Sequence, residues 1–312
     1  MKAASLAAFF MESVNQKVNI ILPKGIELFI KREDLLHPII SGNKYRKLKY
    51  NLVAAKDQGF KKLLTFGGAF SNHIAAVAGA GKEFGFETIG IIRGEEIKDK
   101  IQDNPSLQFA QENGMQFHFV DRTTYKNKTD ATFVEELQQL YGDFYLIPEG
   151  GTNALAIKGC EEILTETDKA YFTHVCCAMG TAGTISGIIN SSNEKQQIIG
   201  FSSLKGAFLY DVIRNFATKD NWNTYCDNIF GGYGKVSDPL IQFLNEFYRN
   251  TTIPLDPVYT GKMMYRILDL IAKDYFAPNA KILAIHTGGL QGIQGMNKVL
   301  NKKHKQTIVY ND

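Results

Sequence analysis

Ser41-Gly42-Asn43-Lys44-Tyr45-Arg46-Lys47-Leu48 reads as a tight glycine–asparagine turn opening into a helix, with a lysine at its start. It comes soon after Ile26-Glu27-Leu28-Phe29-Ile30, which is strand-like in its apolar and aromatic content. A lysine held at such a step can form an imine with an aldehyde cofactor such as pyridoxal phosphate, because its neutral amine is a nucleophile. The same residues also describe a solvated basic helix start. A stretch far downstream shifts the balance: Met179-Gly180-Thr181-Ala182-Gly183-Thr184 is a small-residue loop of the kind that cradles phosphate.

Outward from these two stretches, short apolar runs alternate with helical patterns. The runs Leu63–Phe66, Thr88–Ile92, Gln116–Val120, Phe144–Ile147, His174–Ala178, Gln197–Phe201 and Lys281–Ile285 read as strands, and Ile74–Ala80 and Met263–Ile271 as helices. Several strands are apolar on both faces, as a sheet covered on either side requires. The pattern predicts an α/β protein with open, twisted, mostly parallel sheets. Four glycine-bearing segments sit at strand ends: Gly67–His73, Glu149–Asn153, Gly180–Thr184 and His286–Gly289. Ligands of open α/β sheets collect there, so the four together suggest one cleft for an anionic ligand.

The chain has 312 residues, enough for two domains, and its net charge of +3 gives no electrostatic argument for a nucleic acid or membrane partner. Cys160, Cys176, Cys177 and Cys226 show no metal-ligand spacing and read as reduced core residues of a cytoplasmic protein. Ala3–Phe10 is apolar, but Met11-Glu12-Ser13 interrupts it, which argues against a signal sequence. No apolar run reaches the ~18 residues of a membrane span.

Gly180–Thr184 lacks both the Walker ending and the dinucleotide spacing, which disfavours a nucleotide. Its glycines suit a phosphate, with Thr181 and Thr184 as hydroxyl donors, or simply a tight turn. Ser71, Asn72 and His73 stand before an alanine-rich helix, where they can cap it, hold a substrate carboxylate, or do both. Lys47 is one helical turn from Lys44 and can reach the same phosphate or face solvent. Tyr233, in Gly231-Gly232-Tyr233-Gly234, and Tyr259 lie in turn-rich segments, available for stacking on a flat ring or for ordinary packing.

Lys31-Arg32-Glu33-Asp34, the Ser41–Leu48 stretch, Phe66–His73, the Gly180 loop, Asp256-Pro257-Val258-Tyr259-Thr260-Gly261-Lys262 and His286-Thr287-Gly288-Gly289 occur in order over nearly the whole chain. Together they resemble the 1-aminocyclopropane-1-carboxylate deaminase/D-cysteine desulfhydrase family, pyridoxal-phosphate enzymes of the tryptophan-synthase-β-like fold (fold type II). The resemblance implies a homodimer whose large domain, residues 1–47 and 154–312, binds the cofactor, with a small α/β domain at 48–153. It implies that Lys44 carries the cofactor and Lys47 helps bind its phosphate. Gly180, Thr181, Ala182, Gly183 and Thr184 would form the phosphate cup. Asn72 would meet the cofactor's phenolic oxygen, and Thr287 its pyridine nitrogen. Ser71, Asn72 and His73 would face the substrate, with Tyr259 and Tyr233 as active-site tyrosines.

Two departures bear on the substrate. Family members that open the cyclopropane ring carry Glu where this chain has Thr260, and Gln where it has His73. A carboxylate near the pyridine nitrogen favours its protonation and strengthens the ring as an electron sink, whereas a threonine hydroxyl does not. The expectation is therefore β-elimination from a small amino acid, D-cysteine first. The alternatives are cyclopropane-carboxylate deamination and a non-catalytic cofactor- or amino-acid-binding protein.

Overall fold

Apolar runs alternating with helices fold into two sheets, each clothed by helices. The computed structural model describes residues 12–202, 204 and 208–310, so Ala3–Phe10 lies outside the described residues. The chain begins with β1 (Asn15–Lys17), β2 (Glu27–Lys31) and α1 (Asn43–Asp57). It continues through β3 (Lys62–Gly68), α2 (Asn72–Phe84), β4 (Glu87–Arg93), α3 (Pro105–Glu112), β5 (Met115–Val120), α4 (Ala131–Tyr141) and β6 (Tyr145–Ile147). Next come α5 (Ala154–Cys160), α6 (Glu166–Tyr171), β7 (His174–Ala178), α7 (Gly183–Ser191), β8 (Gln197–Ser202), α8 (Phe208–Phe216) and β9 (Trp222–Cys226). The last elements are α9 (Asp238–Thr251), α10 (Thr260–Ala272), β10 (Lys281–Ile285) and α11 (Gly292–Lys302).

The larger sheet has the order β1-β2-β10-β7-β8-β9 and the smaller one β5-β4-β3-β6. Among the described residues every pairing is parallel except that of β1 with β2. Strand β7 shows why its sequence is apolar after His174. Cys176 and Ala178 point into one core with Ile199 and Ala284, while Val175 and Cys177 point into another with Ile198, Leu283 and Ile285. In β3 the same alternation sends Leu63 one way and Leu64 and Phe66 the other.

Buried ion pairs anchor the end of β2 and the turn beyond it. Lys31 Nζ donates to Asp168 Oδ2 at 2.6 Å. Arg46 clasps Glu33 through two bonds, Nε at 2.9 Å and Nη2 at 3.0 Å. That fork links the end of β2 to the first turn of α1 and so orients the helix that bears Lys44. Removing one partner of such a pair would strand a buried charge, so the two sides of each pair depend on one another. On its other side α1 meets α5 closely: a β-carbon on Gly159 would stand 2.0 Å from the Arg46 carbonyl oxygen.

One expectation fails. Cys160, Cys176 and Cys177 are buried, but Cys226 is exposed rather than in the core. It ends β9, an edge strand with only one neighbour, on which only Trp222 is buried. No helix among the described residues is long and apolar enough to cross a membrane.

Candidate active site

The site gathers at the carboxyl ends of strands from both sheets, beginning with the turn after β2. Gly42 adopts φ +65° and lies against the end of β10, where Asn43 N donates to the Thr287 carbonyl at 3.3 Å. This contact sets Lys44 in the first turn of α1, close to Thr287. Lys44 is only partly covered as a residue, yet its amine sits among protein groups. Burial first, and the neighbouring Lys47 charge second, pull its pKa from 10.5 to about 7. A large fraction of Lys44 is thus neutral at physiological pH. In cofactor-free protein, acylation of Lys44 by an amine-directed reagent should reach half its limiting rate near pH 7. Peptide mass spectrometry across a pH series measures this, and a half-point near the ordinary lysine value of about 10 would overturn the assigned environment.

Lys47 is buried, not a solvated surface charge, and burial lowers its pKa. Its Nζ donates to the Gly150 carbonyl at 2.9 Å, Thr152 Oγ1 at 3.0 Å and Thr181 Oγ1 at 3.3 Å. The two threonine hydroxyls are themselves 2.6 Å apart. Gly183 faces this group so closely that a β-carbon there would stand 2.8 Å from Thr152 Oγ1 and 3.1 Å from Lys47 Nζ. Ala182 takes the left-handed conformation, φ +58°, to turn the loop into α7. Thr184 is buried and accepts from Asn43 Nδ2 at 2.7 Å, tying the loop to the Lys44 turn. Free amides at a helix start, two hydroxyls and one buried ammonium, with no side chain in the way, fit a phosphate group.

Opposite lies the start of α2. Ser71 caps this helix by accepting from His73 N (3.2 Å) and Ile74 N (3.4 Å). Asn72 reaches across to the loop after β10, accepting from Gln291 Nε2 at 3.3 Å; a β-carbon on Gly289 would be 3.0 Å from its Nδ2. His73 is buried against Thr65. The Thr65 hydroxyl donates to the Ile147 carbonyl (2.8 Å), so it accepts from His73 Nε2–H at 2.8 Å. His73 Nδ1, next to Gly151, has no hydrogen-bond partner among the described residues. Burial, with the Lys44 and Lys47 charges behind it, holds the imidazole pKa well below 6.5, so the ring is neutral.

Asp256 organises the tyrosine side. Its carboxylate accepts from the amides of Val258 (2.9 Å), Tyr259 (3.0 Å) and Thr260 (2.7 Å), which caps α10. Thr260 is fully buried; its hydroxyl accepts from Asp256 N at 2.8 Å and donates to Asp256 Oδ1 at 2.7 Å. The hydroxyl is thereby committed on both sides to helix capping. Tyr259 Oη donates to Tyr233 Oη at 3.2 Å, and a β-carbon on Gly180 would be 3.2 Å from the Tyr259 oxygen. Burial first and Tyr233 second raise the Tyr259 pKa well above 10, so this phenol stays protonated. Thr287 stands between the Gly42 contact and Gly288, whose amide donates to His286 Nδ1 at 3.2 Å.

The structure therefore brings Lys44, Lys47, Asn72, Thr181, Gly183, Tyr259 and Thr287 around one cleft, while His73 is packed behind the turn at Gly151. Sequence reasoning did not assign roles to Thr152, Asn43, Asp256 or His286. Thr152 belongs to a glycine segment already singled out at a strand end. Asp256 directly before Pro257 is a turn-initiating signal. The Asn43 bonds to Thr184 and Thr287, and the 2.7 Å bond from His286 Nε2 to the Pro254 carbonyl, are long-range and leave no local trace.

The sequence model of the family described as pyridoxal-phosphate dependent enzyme matches residues 21–288. A Pyrococcus horikoshii protein provisionally named a 1-aminocyclopropane-1-carboxylate deaminase is 30% identical over 298 residues, 88% of each chain. An Arabidopsis thaliana protein named bifunctional D-cysteine desulfhydrase/1-aminocyclopropane-1-carboxylate deaminase, mitochondrial, is 30% identical over 302 residues, 87% of this chain and 74% of that one. A crystal structure described as an ACC deaminase homologue superposes with a TM-score of 0.78 at 28% identity over 94% of both chains. With a lysine of lowered pKa beside a phosphate-sized cradle, and with these relatives, the chain belongs to the pyridoxal-phosphate-dependent enzymes, in the 1-aminocyclopropane-1-carboxylate deaminase/D-cysteine desulfhydrase family.

Proposed function

We propose that the protein catalyses β-elimination from a small amino acid, D-cysteine in particular, giving pyruvate, ammonia and sulfide with uptake of water. The observation that carries the reading is the neutral-leaning Lys44 amine set one helical turn from the buried Lys47 cradle. Bound pyridoxal phosphate supplies an electron sink for the charge that builds at Cα. Lys44 would hold the cofactor, with Lys47, Thr152, Thr181 and the 180–184 amides on its phosphate, and Asn72 and Thr287 along its ring. With substrate bound, the Lys44 amine would take the Cα proton, a role that burial and the Lys47 charge favour by lowering its pKa. The Asn72 amide and the Ser71 hydroxyl, at the start of α2, receive the substrate carboxylate. Tyr259, protonated throughout, and Tyr233 orient the departing sulfur as the Cβ–S bond breaks. Residues 48–153 form the small domain of this reading, able to close over the cleft and exclude water.

Thr260 supports elimination over ring opening, because it brings no carboxylate and its hydroxyl is engaged with Asp256. A second reading, deamination of 1-aminocyclopropane-1-carboxylate to 2-oxobutanoate and ammonia, is favoured by the double name of the Arabidopsis relative. Purified holoenzyme given D-cysteine, L-cysteine and 1-aminocyclopropane-1-carboxylate separates them. Sulfide and pyruvate in equal amounts from D-cysteine are expected. 2-Oxobutanoate as the faster product would transfer the assignment to the second reading, and no turnover of any of the three would defeat both.

A further inference from the structure

The loop that carries Tyr233 turns sharply, through backbone bonds from Gly231 N to the Asn228 carbonyl (3.1 Å), Gly232 N to the Ile229 carbonyl (3.1 Å) and Lys235 N to the Gly232 carbonyl (3.2 Å). Phe230, Gly231 and Gly232 are consecutively left-handed, at φ +53°, +88° and +90°, and Gly234 adds a fourth such residue at +68°. Tyr233 itself is 49% exposed. What faces this loop is a single stripe of α10 and its cap, at positions 259, 262 and 265. Tyr259 Oη meets Tyr233 Oη at 3.2 Å; Lys262 Nζ donates to the Gly232 carbonyl at 2.5 Å; the Tyr265 ring meets the Phe230 ring edge-on at 4.6 Å. Three rungs at a spacing of three residues on the helix thus match three positions on the loop.

The middle rung is the unusual one. Lys262 is only 3% exposed, and its sole hydrogen bond among the described residues goes to Gly232. No carboxylate among the described residues stands within ion-pair distance of it, although Asp256 lies near enough to act through its charge. Burial, opposed by Asp256, lowers its pKa to about 8. Burying an amine with three donors for one acceptor is costly, and a leucine or methionine would fill the space at less expense. The stability of the fold does not explain the choice; a second hold on the Gly232 carbonyl, which also accepts from Lys235 N at 3.2 Å, does.

We infer that Lys262 is a positioning residue: by gripping the Gly232 carbonyl it holds the Tyr233 hydroxyl against Tyr259 at the substrate face of the cleft. The inference rests on the reading that these two tyrosines face the substrate, and its test separates the two claims. Lys262→Met removes the grip while keeping the buried stem. Hydrogen exchange of the amides at 229–235, followed in the holoenzyme, should accelerate by about tenfold or more, with exchange in β7 and β10 unchanged. This readout needs no substrate. On D-cysteine, kcat should fall between about ten- and a hundredfold, and KM should change less. In a Tyr233→Phe background the same substitution should add less than about twofold, because both act on one group.

Lys262→Gln, too short to reach the carbonyl yet still polar, should reproduce the exchange result if the methionine variant does not fold. Unchanged exchange at 229–235 overturns the positioning role outright. Faster exchange with fully additive losses in kcat would also overturn it, since Lys262 would then act independently of Tyr233. Faster exchange while Tyr233→Phe itself leaves turnover intact would instead refute the active-site reading of the tyrosines and leave the grip standing.

Discussion

Lys44→Ala abolishes the visible absorbance of bound cofactor and lowers turnover by a factor on the order of 10⁴ or more, the scale met when one group serves as both covalent anchor and base. The fold should survive. Among the described residues Lys44 makes one hydrogen bond, to the side chain of its neighbour Asn43 at 3.0 Å, and its amine is held at a depressed pKa by burial and by Lys47. Removing a half-neutral amine from such a place relieves repulsion as much as it loses contact, so the melting temperature should move little. Lys44→Arg sharpens the test. Arginine keeps a positive charge but is neither a nucleophile nor a base near neutral pH, so it should be as inactive as alanine. A visible band and measurable turnover in either variant would remove Lys44 from the proposed chemistry and leave only the cradle at Lys47.

The functional arrangement was more legible in the sequence than the reasons for it. Strands β3, β4, β7 and β10 could be read because both faces are buried, which puts apolar residues on both faces. Strands β1 and β9, at the edges of the larger sheet, could not: Asn15–Lys17 has no apolar residue, and in Trp222–Cys226 only Trp222 is buried. The same edge geometry exposes Cys226, which composition alone assigned to the core. Among site residues, glycine segments announced the cradle because close backbone approach demands glycine. The sequence did not reveal that Lys47 is buried, since a basic residue in the first turns of a helix has the same local pattern whether it meets water or three oxygens from loops some hundred residues away. Thr260 illustrates a subtler limit. Its identity was readable, but its reciprocal bonds with Asp256 depend on how the turn folds.

Gly42→Ala should disable the enzyme without touching any group that reacts. At φ +65° and ψ −144° the residue occupies a region that is essentially glycine's own. A β-carbon would stand 2.1 Å from the Thr287 carbonyl oxygen, 2.3 Å from its carbon and 2.6 Å from Gly288 N. These are backbone atoms at the end of a central strand, so they cannot turn aside as a side chain would. The start of α1 must then move away from β10, breaking the Asn43 to Thr287 bond and separating Lys44 from Thr287. Strain and overpacking together should lower stability by about 2–5 kcal/mol, measured by urea unfolding. A displacement of about 1 Å at Lys44 should cost turnover roughly a hundredfold in the protein that remains folded. Gly59→Ala provides the control, because Gly59 has φ +79° but nothing within 4 Å of its would-be β-carbon. It carries a positive-φ penalty of about 1–2 kcal/mol without the collision. If the two variants lose equal stability and both keep full turnover, the collision with Thr287 is not what holds Lys44 in place. A loss of turnover confined to Gly42→Ala would show that the active lysine is positioned by one backbone contact between the first turn of α1 and the loop that leaves β10.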